Sequence, residues 1–358
     1  MVVAHAGGKC ADLSNPRDTS SCARGDAEIL DMLDALPPGT VDAVVAGHTH
    51  QTMGHFFGDV PVIETTGQAR SLGVVELYVD PERRRVIPGR TRIQAAIPLC
   101  AKVDAASGTC DGRRLKEQPE VRLVPASFMG AQVTPDAQVA PLLVSALELA
   151  REAQHRPVGL VAPVPLARGY TAEGALGNLV ADVLRASAQA DVGVMNPGGI
   201  RADLPAGALT FGQVFEALPF DNTLAVVTLT GTELTRLMAL AHANDRGSVF
   251  AVSGLELTLN RCPGPQRLQT VTLTGGTPLA SERLYRVALP DFLARGGDGL
   301  GPVTDSLPPE RVDLAPVKGL DLREALLAYG KAQGGTLNAP ALGRVRYMGV
   351  AECPQKER

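Results

Sequence analysis

Short apolar runs that stop on residues suited to chemistry most constrain what this chain can fold into. Residues 1–5, Met-Val-Val-Ala-His, read as a buried strand ending on His5. Residues 41–46 form a second run, which breaks at Gly47-His48-Thr49-His50. Residues 192–195 form a third, followed at once by Asn196-Pro197-Gly198-Gly199-Ile200-Arg201. Runs this short, bounded by glycine and proline, are strand-like, and strands ending on one sheet edge converge. Between the first two runs, Ile29, Leu30, Met32 and Leu33 keep helical spacing over residues 26–36, and Pro37-Pro38-Gly39 stops the helix. Further strands are expected at 60–64 and 72–79. Strand–helix–strand order with β-rich edges predicts a layered α/β sandwich.

From about residue 81 to 132 the text is rich in arginine and proline, with short strands. Thr134-Pro135-Asp136 then reads as a cap with proline at the first helical position, ahead of Val139, Leu142, Leu143, Ala146, Leu147 and Ala150 at helical spacing. Beyond residue 158 a helix is expected at 173–184 and a strand at 191–195. Helices at 211–218 and 232–241 flank a strand at 224–229, and runs at 250–259, 267–273 and 285–289 complete one mixed sheet.

The length of 358 residues is enough for two domains. A net charge of 34 − 38 = −4 gives no basic surface for a nucleic acid polymer or an acidic membrane. No window approaches the ~18 apolar residues of a membrane span. Cys10 with Cys22 and Cys100 with Cys110 are close pairs in polar loops, while Cys262 and Cys353 stand apart. The close pairs favour disulfides and an oxidising compartment over buried free thiols. Because the chain opens inside a strand, upstream sequence, with any secretion signal, is expected to be missing.

Neutral imidazole is the commonest protein ligand for zinc-like metals, which makes His5, His48 and His50 candidate ligands. Two histidines alone make half a site, and a solvated turn fits the same pattern. His55, His155 and His242 lack such a setting and read as surface or structural residues. In the 196–201 loop, Gly198 and Gly199 let a ligand approach the backbone, and the Arg201 guanidinium suits a phosphate or carboxylate. Phe220 and Phe292 stand out in a chain with only 4% aromatic residues; each alone is more often a core residue than a ligand contact, but both lie beside Gly-rich turns, where core packing is less expected. Two rings gripping a base contribute ~1–3 kcal/mol by stacking. Asp298, in Gly-Gly-Asp-Gly, either accepts from ribose hydroxyls or stabilises its turn.

Gly47-His48-Thr49-His50 resembles the closing motif of the calcineurin-like metallophosphoesterases. The 196–201 loop, Pro219-Phe220-Asp221-Asn222 and the 291–299 segment resemble the 5′-nucleotidase C-terminal domain, in the order that family uses. The resemblance is strong over about 155–348 and good over 1–80, although Pro197 occupies a position the family leaves variable. It implies an α/β chain in parts: a partial metallophosphoesterase β-sandwich with helices (1–132), a connecting helix (133–157), a nucleotide-binding domain (158–348) and a tail (349–358). In the intact protein it implies two divalent ions, zinc, manganese or similar, with His5 and His48 on one and His50 on the other. By the same resemblance Asn196 and Arg201 contact a nucleotide, Asn222 its base, Phe220 and Phe292 stack on that base, and Asp298 holds the ribose. Arg168 resembles an arginine near the phosphate, at looser spacing.

The family's Asp-x-His, its Gly-Asp segment and its Gly-Asn-His motif are absent from this sequence. The catalytic residue is therefore expected upstream, and this chain alone is expected to be inert. The implied activity is metal-dependent hydrolysis of nucleotide phosphate esters, as in a periplasmic, cell-surface or secreted 5′-nucleotidase. UDP-sugar diphosphatase and 2′,3′-cyclic-nucleotide phosphodiesterase are alternatives, and a non-catalytic nucleotide-binding module is one of another class.

Overall fold

A computed structural model describes residues 1–358 except 25–26, 68, 109, 111–120, 244–246, 263, 318–319 and 350–358. The expected helix start at Asp26, Cys353 and nearly all of the tail lie outside the described residues. The chain divides into two compact units, Met1–Leu143 and Val144–Arg358.

In the first unit, β1 (Val2–Val3), β2 (Val44–Val45), β3 (Met53–Phe57) and β4 (Val60–Glu64) form one sheet in the order β1-β2-β4-β3. β1, β2 and β4 run parallel, and only β3 is antiparallel. Helix α1 (Glu28–Ala35) buries Ile29 and Leu30 with Val44, Met53 and Val62. A second layer pairs β5 (Ser71–Glu76) with β6 (Arg92–Pro98). Its contact with the first layer is tight: a Cβ on Gly54 would lie 2.4 Å from that of Ala95, and one on Gly73 2.4 Å from the Ile63 side chain. The expected strand at 72–79 is broken, since β5 ends at Glu76 and a separate short pair begins at Val79. Both close cysteine pairs form disulfides, Cys10–Cys22 and Cys100–Cys110.

Helix α2 (Val139–His155) begins later than its sequence signal. Asp136, not Thr134, is the cap: its carboxylate accepts from the backbone N–H of Gln138 (2.7 Å) and Val139 (3.0 Å). Those two bonds stabilise the charged form and hold its pKa below the usual carboxylate range.

The second unit is built on a five-stranded mixed sheet. The elements that position the site are, in chain order, α3 (Ala175–Ser187), β7 (Val192–Met195), α4 (Phe211–Ala217), β8 (Leu224–Thr230), α5 (Gly231–His242) and β9 (Ala251–Ser253). They continue with β10 (Leu255–Asn260), β11 (Leu268–Leu273), β12 (Leu284–Pro290), β13 (Val312–Asp313), α6 (Leu322–Ala332) and β14 (Val345–Met348). The sheet order is β9-β7-β12-β8-β13. Alternation along β8 separates two cores: Leu224 and Val226 join α3 and α6 on one face, and Ala225, Val227 and Leu229 join α5 on the other. A Cβ at Gly193 would sit 2.1 Å from the Ala181 carbonyl, so α3 lies hard against β7.

One expected strand is two. Gly254, at φ +81°, breaks the 250–259 run. β9 stays in the large sheet, while β10 joins a separate three-stranded sheet, β11-β10-β14. The single mixed sheet expected from sequence is therefore two sheets.

Candidate functional site

Parallel pairing of β1 with β2 brings the residues beyond them to one edge. Ala4 donates to Val45 O (3.0 Å) and Gly47 to Ala6 O (3.1 Å), which sets His5 beside His48. His48 Nδ1 lies 3.1 Å from His5 Nε2, and the rings meet edge to face with centroids 4.8 Å apart. His48 (φ 82°) and His50 (φ 55°) both occupy the left-handed region, an uncommon conformation for such residues.

The carboxylate of Glu64, 2% exposed at the end of β4, fixes this turn. It accepts from Gly8 N (3.0 Å), Thr49 N (3.1 Å) and Thr49 Oγ1 (2.7 Å), tying the loops after β1 and β2 together. Burial pushes its pKa above the usual value against the pull of those bonds and of His48. Gly7 is obligatory here, since a Cβ would meet Gly47 O at 2.2 Å and Glu64 Oε2 at 2.4 Å. Sequence reasoning passed over Glu64, whose only signal was a carboxylate closing an apolar strand.

His50 lies against Gly67, where a Cβ would approach its Nδ1 to 2.9 Å. It does not join the other two in a set of ligand atoms within 4.8 Å of one another. Among the described residues such a set is formed by Cys10, Cys22 and His55, but the two sulfurs are bonded to each other and offer no thiolate. His55 is buried, His155 Nδ1 bonds Arg151 O (2.8 Å), and His242 is buried between Met238 O and Phe250 N. All three are structural or surface residues.

In the second unit the register does the gathering. Gly193 of β7 pairs with Ala288 of β12 in parallel, and Leu224 of β8 pairs with Pro290 antiparallel. The ladder continues as Asp291 N donates to Thr223 O (2.9 Å) and Thr223 N to Asp291 Oδ1 (3.0 Å). The loops carrying Asn196, Phe220, Asn222 and Phe292 therefore leave from one sheet edge.

At that edge Asn196, 4% exposed, donates through Nδ2 to Asp298 Oδ2 at 2.6 Å, and its buried Oδ1 has no protein partner. Gly199 passes close beneath these side chains: a Cβ there would lie 2.9 Å from that Oδ1 and 2.5 Å from Met195 Cε. Arg201 donates to Gly198 O (3.3 Å) and holds its guanidinium 6.0 Å from the Phe220 centroid. Phe220 and Phe292 are 46% and 43% exposed, so neither ring is core packing. Asn222 is half-buried, and its carbonyl accepts from Leu322 N (3.2 Å). Arg168 sits beneath the loop: its guanidinium donates to Ile200 O (3.1 Å) and Arg201 O (3.3 Å), and its N–H to Asp203 (2.8 Å).

The family description "5′-nucleotidase, C-terminal domain" matches residues 155–305. A cell wall protein of Listeria monocytogenes is 23% identical over 100% of this chain and 44% of its own length. A 5′-nucleotidase of Vibrio cholerae is 31% identical over 36% of this chain and 23% of its own. The chain thus spans less than half the length of these relatives. A crystal structure of a 5′-nucleotidase precursor from Thermus thermophilus shares the fold, with a TM-score of 0.55 at 24% identity, covering 87% of this chain and 60% of that one. Over residues 155–305 the chain thus matches the 5′-nucleotidase C-terminal domain, and its fold is that of a 5′-nucleotidase.

Proposed function

We propose that the second unit binds a nucleotide and that the whole protein hydrolyses a nucleotide phosphate ester. The observation that carries this reading is the Asn196–Asp298 pair, with an unused buried acceptor on Asn196, on the sheet edge that also carries two half-exposed phenyl rings. Phe220 and Phe292 stack on the base, Asn222 reaches its edge, and Asp298 accepts from the ribose. Arg201, with Gly198 and Gly199 opening the backbone, faces the anionic end. Arg168 braces the Arg201 loop through two carbonyls and supplies positive charge there. Substrate is a small nucleotide or nucleotide derivative, not a nucleic acid polymer.

The residues present fit part of a metal centre. Two nitrogens on one tetrahedral zinc-like ion stand ~3.3 Å apart at ordinary bond lengths, close to the 3.1 Å between His5 and His48. These two would hold one ion, and His50, with donors from elsewhere in the protein, a second. Such a pair of ions, when bound, supplies hydroxide and neutralises charge developing on the phosphate. No described carboxylate bridges the histidines, so this chain alone is expected to be inert. That same observation favours a second reading, a nucleotide-binding module without catalysis. Disulfides and a cell-wall relative support a periplasmic, cell-surface or secreted site of action.

Turnover of AMP, UDP-glucose and 2′,3′-cyclic AMP with manganese or zinc, alongside calorimetric binding of AMP, tests these readings. AMP binding without turnover is expected. Turnover at enzymatic rates would remove the account of absent ligands, and failure to bind any of the three would remove the nucleotide assignment.

A further inference from the structure

Outside the residues already assigned, one half-buried cation is connected to the site by more bonds than packing needs. Arg323, in the first turn of α6, has a side chain only 11% exposed. Its Nη1 donates to Leu218 O (3.1 Å) and to Phe220 O (3.1 Å). Its Nη2 donates to Asp221 Oδ1 (2.5 Å) and to Asp321 Oδ2 (3.2 Å). The guanidinium also lies 5.3 Å from the centroid of Phe215. Three of the four acceptors belong to residues 218–221, the turn between α4 and β8 that presents Phe220.

A planar fork of five donors suits this task, because it spans two carbonyls and two carboxylates without rotating. Asp321 is fixed in turn: its Oδ1 caps α6 by accepting from Glu324 N (2.7 Å). Leu322 N to Asn222 O (3.2 Å) and Leu224 N to Leu320 O (3.3 Å) dock the start of α6 along the same turn. The Phe220 ring is nearly half exposed, so little apolar packing holds it. Its position is set through the backbone, and the backbone is set by Arg323.

From this we infer that Arg323 is a positioning residue for base recognition: it fixes the turn so that the Phe220 ring is held ready to stack. The inference rests on the proposed nucleotide reading and adds the residue that governs affinity for the base specifically. Arg323 touches no ligand itself. Its removal frees the turn, and a stacking ring that must be ordered on binding loses part of its contribution.

Isothermal titration of the full chain with AMP and with ribose 5-phosphate tests this, since the two ligands share sugar and phosphate and differ by the base. Wild-type protein is expected to prefer AMP, and Arg323→Met to weaken AMP by about tenfold while ribose 5-phosphate changes less than about twofold. Arg323→Lys, which restores the charge and part of the bonding, recovers affinity between the two. Asp221→Ala removes the outermost anchor, a side chain 89% exposed, and gives a smaller loss in the same direction even if Arg323→Met fails to fold. An unchanged AMP preference in folded Arg323→Met, or equal losses for both ligands, overturns the assignment of Arg323 alone. Absence of any AMP preference in the wild type overturns base stacking itself, and this inference with it.

Discussion

Asn196 Nδ2 donates to Asp298 Oδ2 at 2.6 Å, joining loops 102 residues apart. Asp298 holds φ 52°, a left-handed conformation that aspartate and asparagine tolerate and alanine resists. Charge and backbone are therefore separable by mutation. Asp298→Asn keeps the turn and loses the charge, so AMP binding falls by about ten- to a hundredfold, the scale of a charged hydrogen bond, with an unchanged melting curve. Asp298→Ala adds a cost of about 1 kcal/mol from backbone strain. Calorimetry with adenine alone, which has no ribose, is expected to show less than about a twofold change. Equal losses for adenine and AMP would mean that the carboxylate does not contact the sugar.

The Phe292 ring is set from below. A Cβ on Gly297 would lie 2.5 Å from that ring and 2.6 Å from the Phe292 carbonyl, so neither ring rotation nor loop drift alone relieves Gly297→Ala. This variant is expected to displace the ring and reproduce part of the Phe292→Ala defect. Phe220→Ala and Phe292→Ala each cost ~1–3 kcal/mol in AMP binding. Saturation curves with AMP and ribose 5-phosphate check this, and a Gly297→Ala protein with wild-type AMP affinity would contradict it.

The histidine pair makes a separate prediction about metal. With two imidazoles facing each other and His50 outside their cluster, this chain is expected to hold one zinc or cobalt ion weakly. His5→Ala or His48→Ala lowers that affinity by at least about tenfold, whereas His50→Ala leaves it within about twofold. Equilibrium dialysis gives the affinities, and the cobalt absorption spectrum reports nitrogen ligation directly. Glu64→Ala acts from behind: the turn loses the three bonds that tie it down, and affinity falls although no ligand is removed.

The fold was legible in the sequence more fully than the contacts at the candidate site. The strand at 192–195 and the glycine loop after it announced themselves by composition, and scarce aromatics beside turns marked Phe220 and Phe292. Local sequence was silent on partners that come from afar. Glu64 reads as the end of a strand until β4 lies beside β2, and Arg323 reads as a solvated arginine until α6 docks against a turn 102 residues before it. The apolar run at 250–259 reads as one strand, because only the positive φ of Gly254 shows that the run feeds two sheets. Arg168 stands out in the sequence only by resemblance to an arginine near the phosphate, and the carbonyls of Ile200 and Arg201 that it grips lie more than 30 residues away.

The buried histidine of the second unit gives that unit a pH-dependent stability. His242 Nδ1 donates to Met238 O (2.8 Å), and its Nε2 accepts from Phe250 N (3.2 Å), which requires the neutral ring. Burial, with the nearby Arg267 charge opposing a second cation, lowers its pKa from 6.5 to about 4. Unfolded chain takes up the proton first as pH falls, so the contribution is intact above about pH 6.5 and is lost progressively toward pH 4. The loss amounts to about 3 kcal/mol. Gln at this position keeps a donor and an acceptor but does not titrate, so His242→Gln is expected to be less stable at pH 7 and flatter with pH. Urea unfolding followed by tyrosine fluorescence measures this selectively, because Tyr170, Tyr285, Tyr329 and Tyr347 lie in the second unit and only Tyr78 in the first. If wild type and His242→Gln lose stability with the same slope between pH 6.5 and 4, some other group sets the pH dependence.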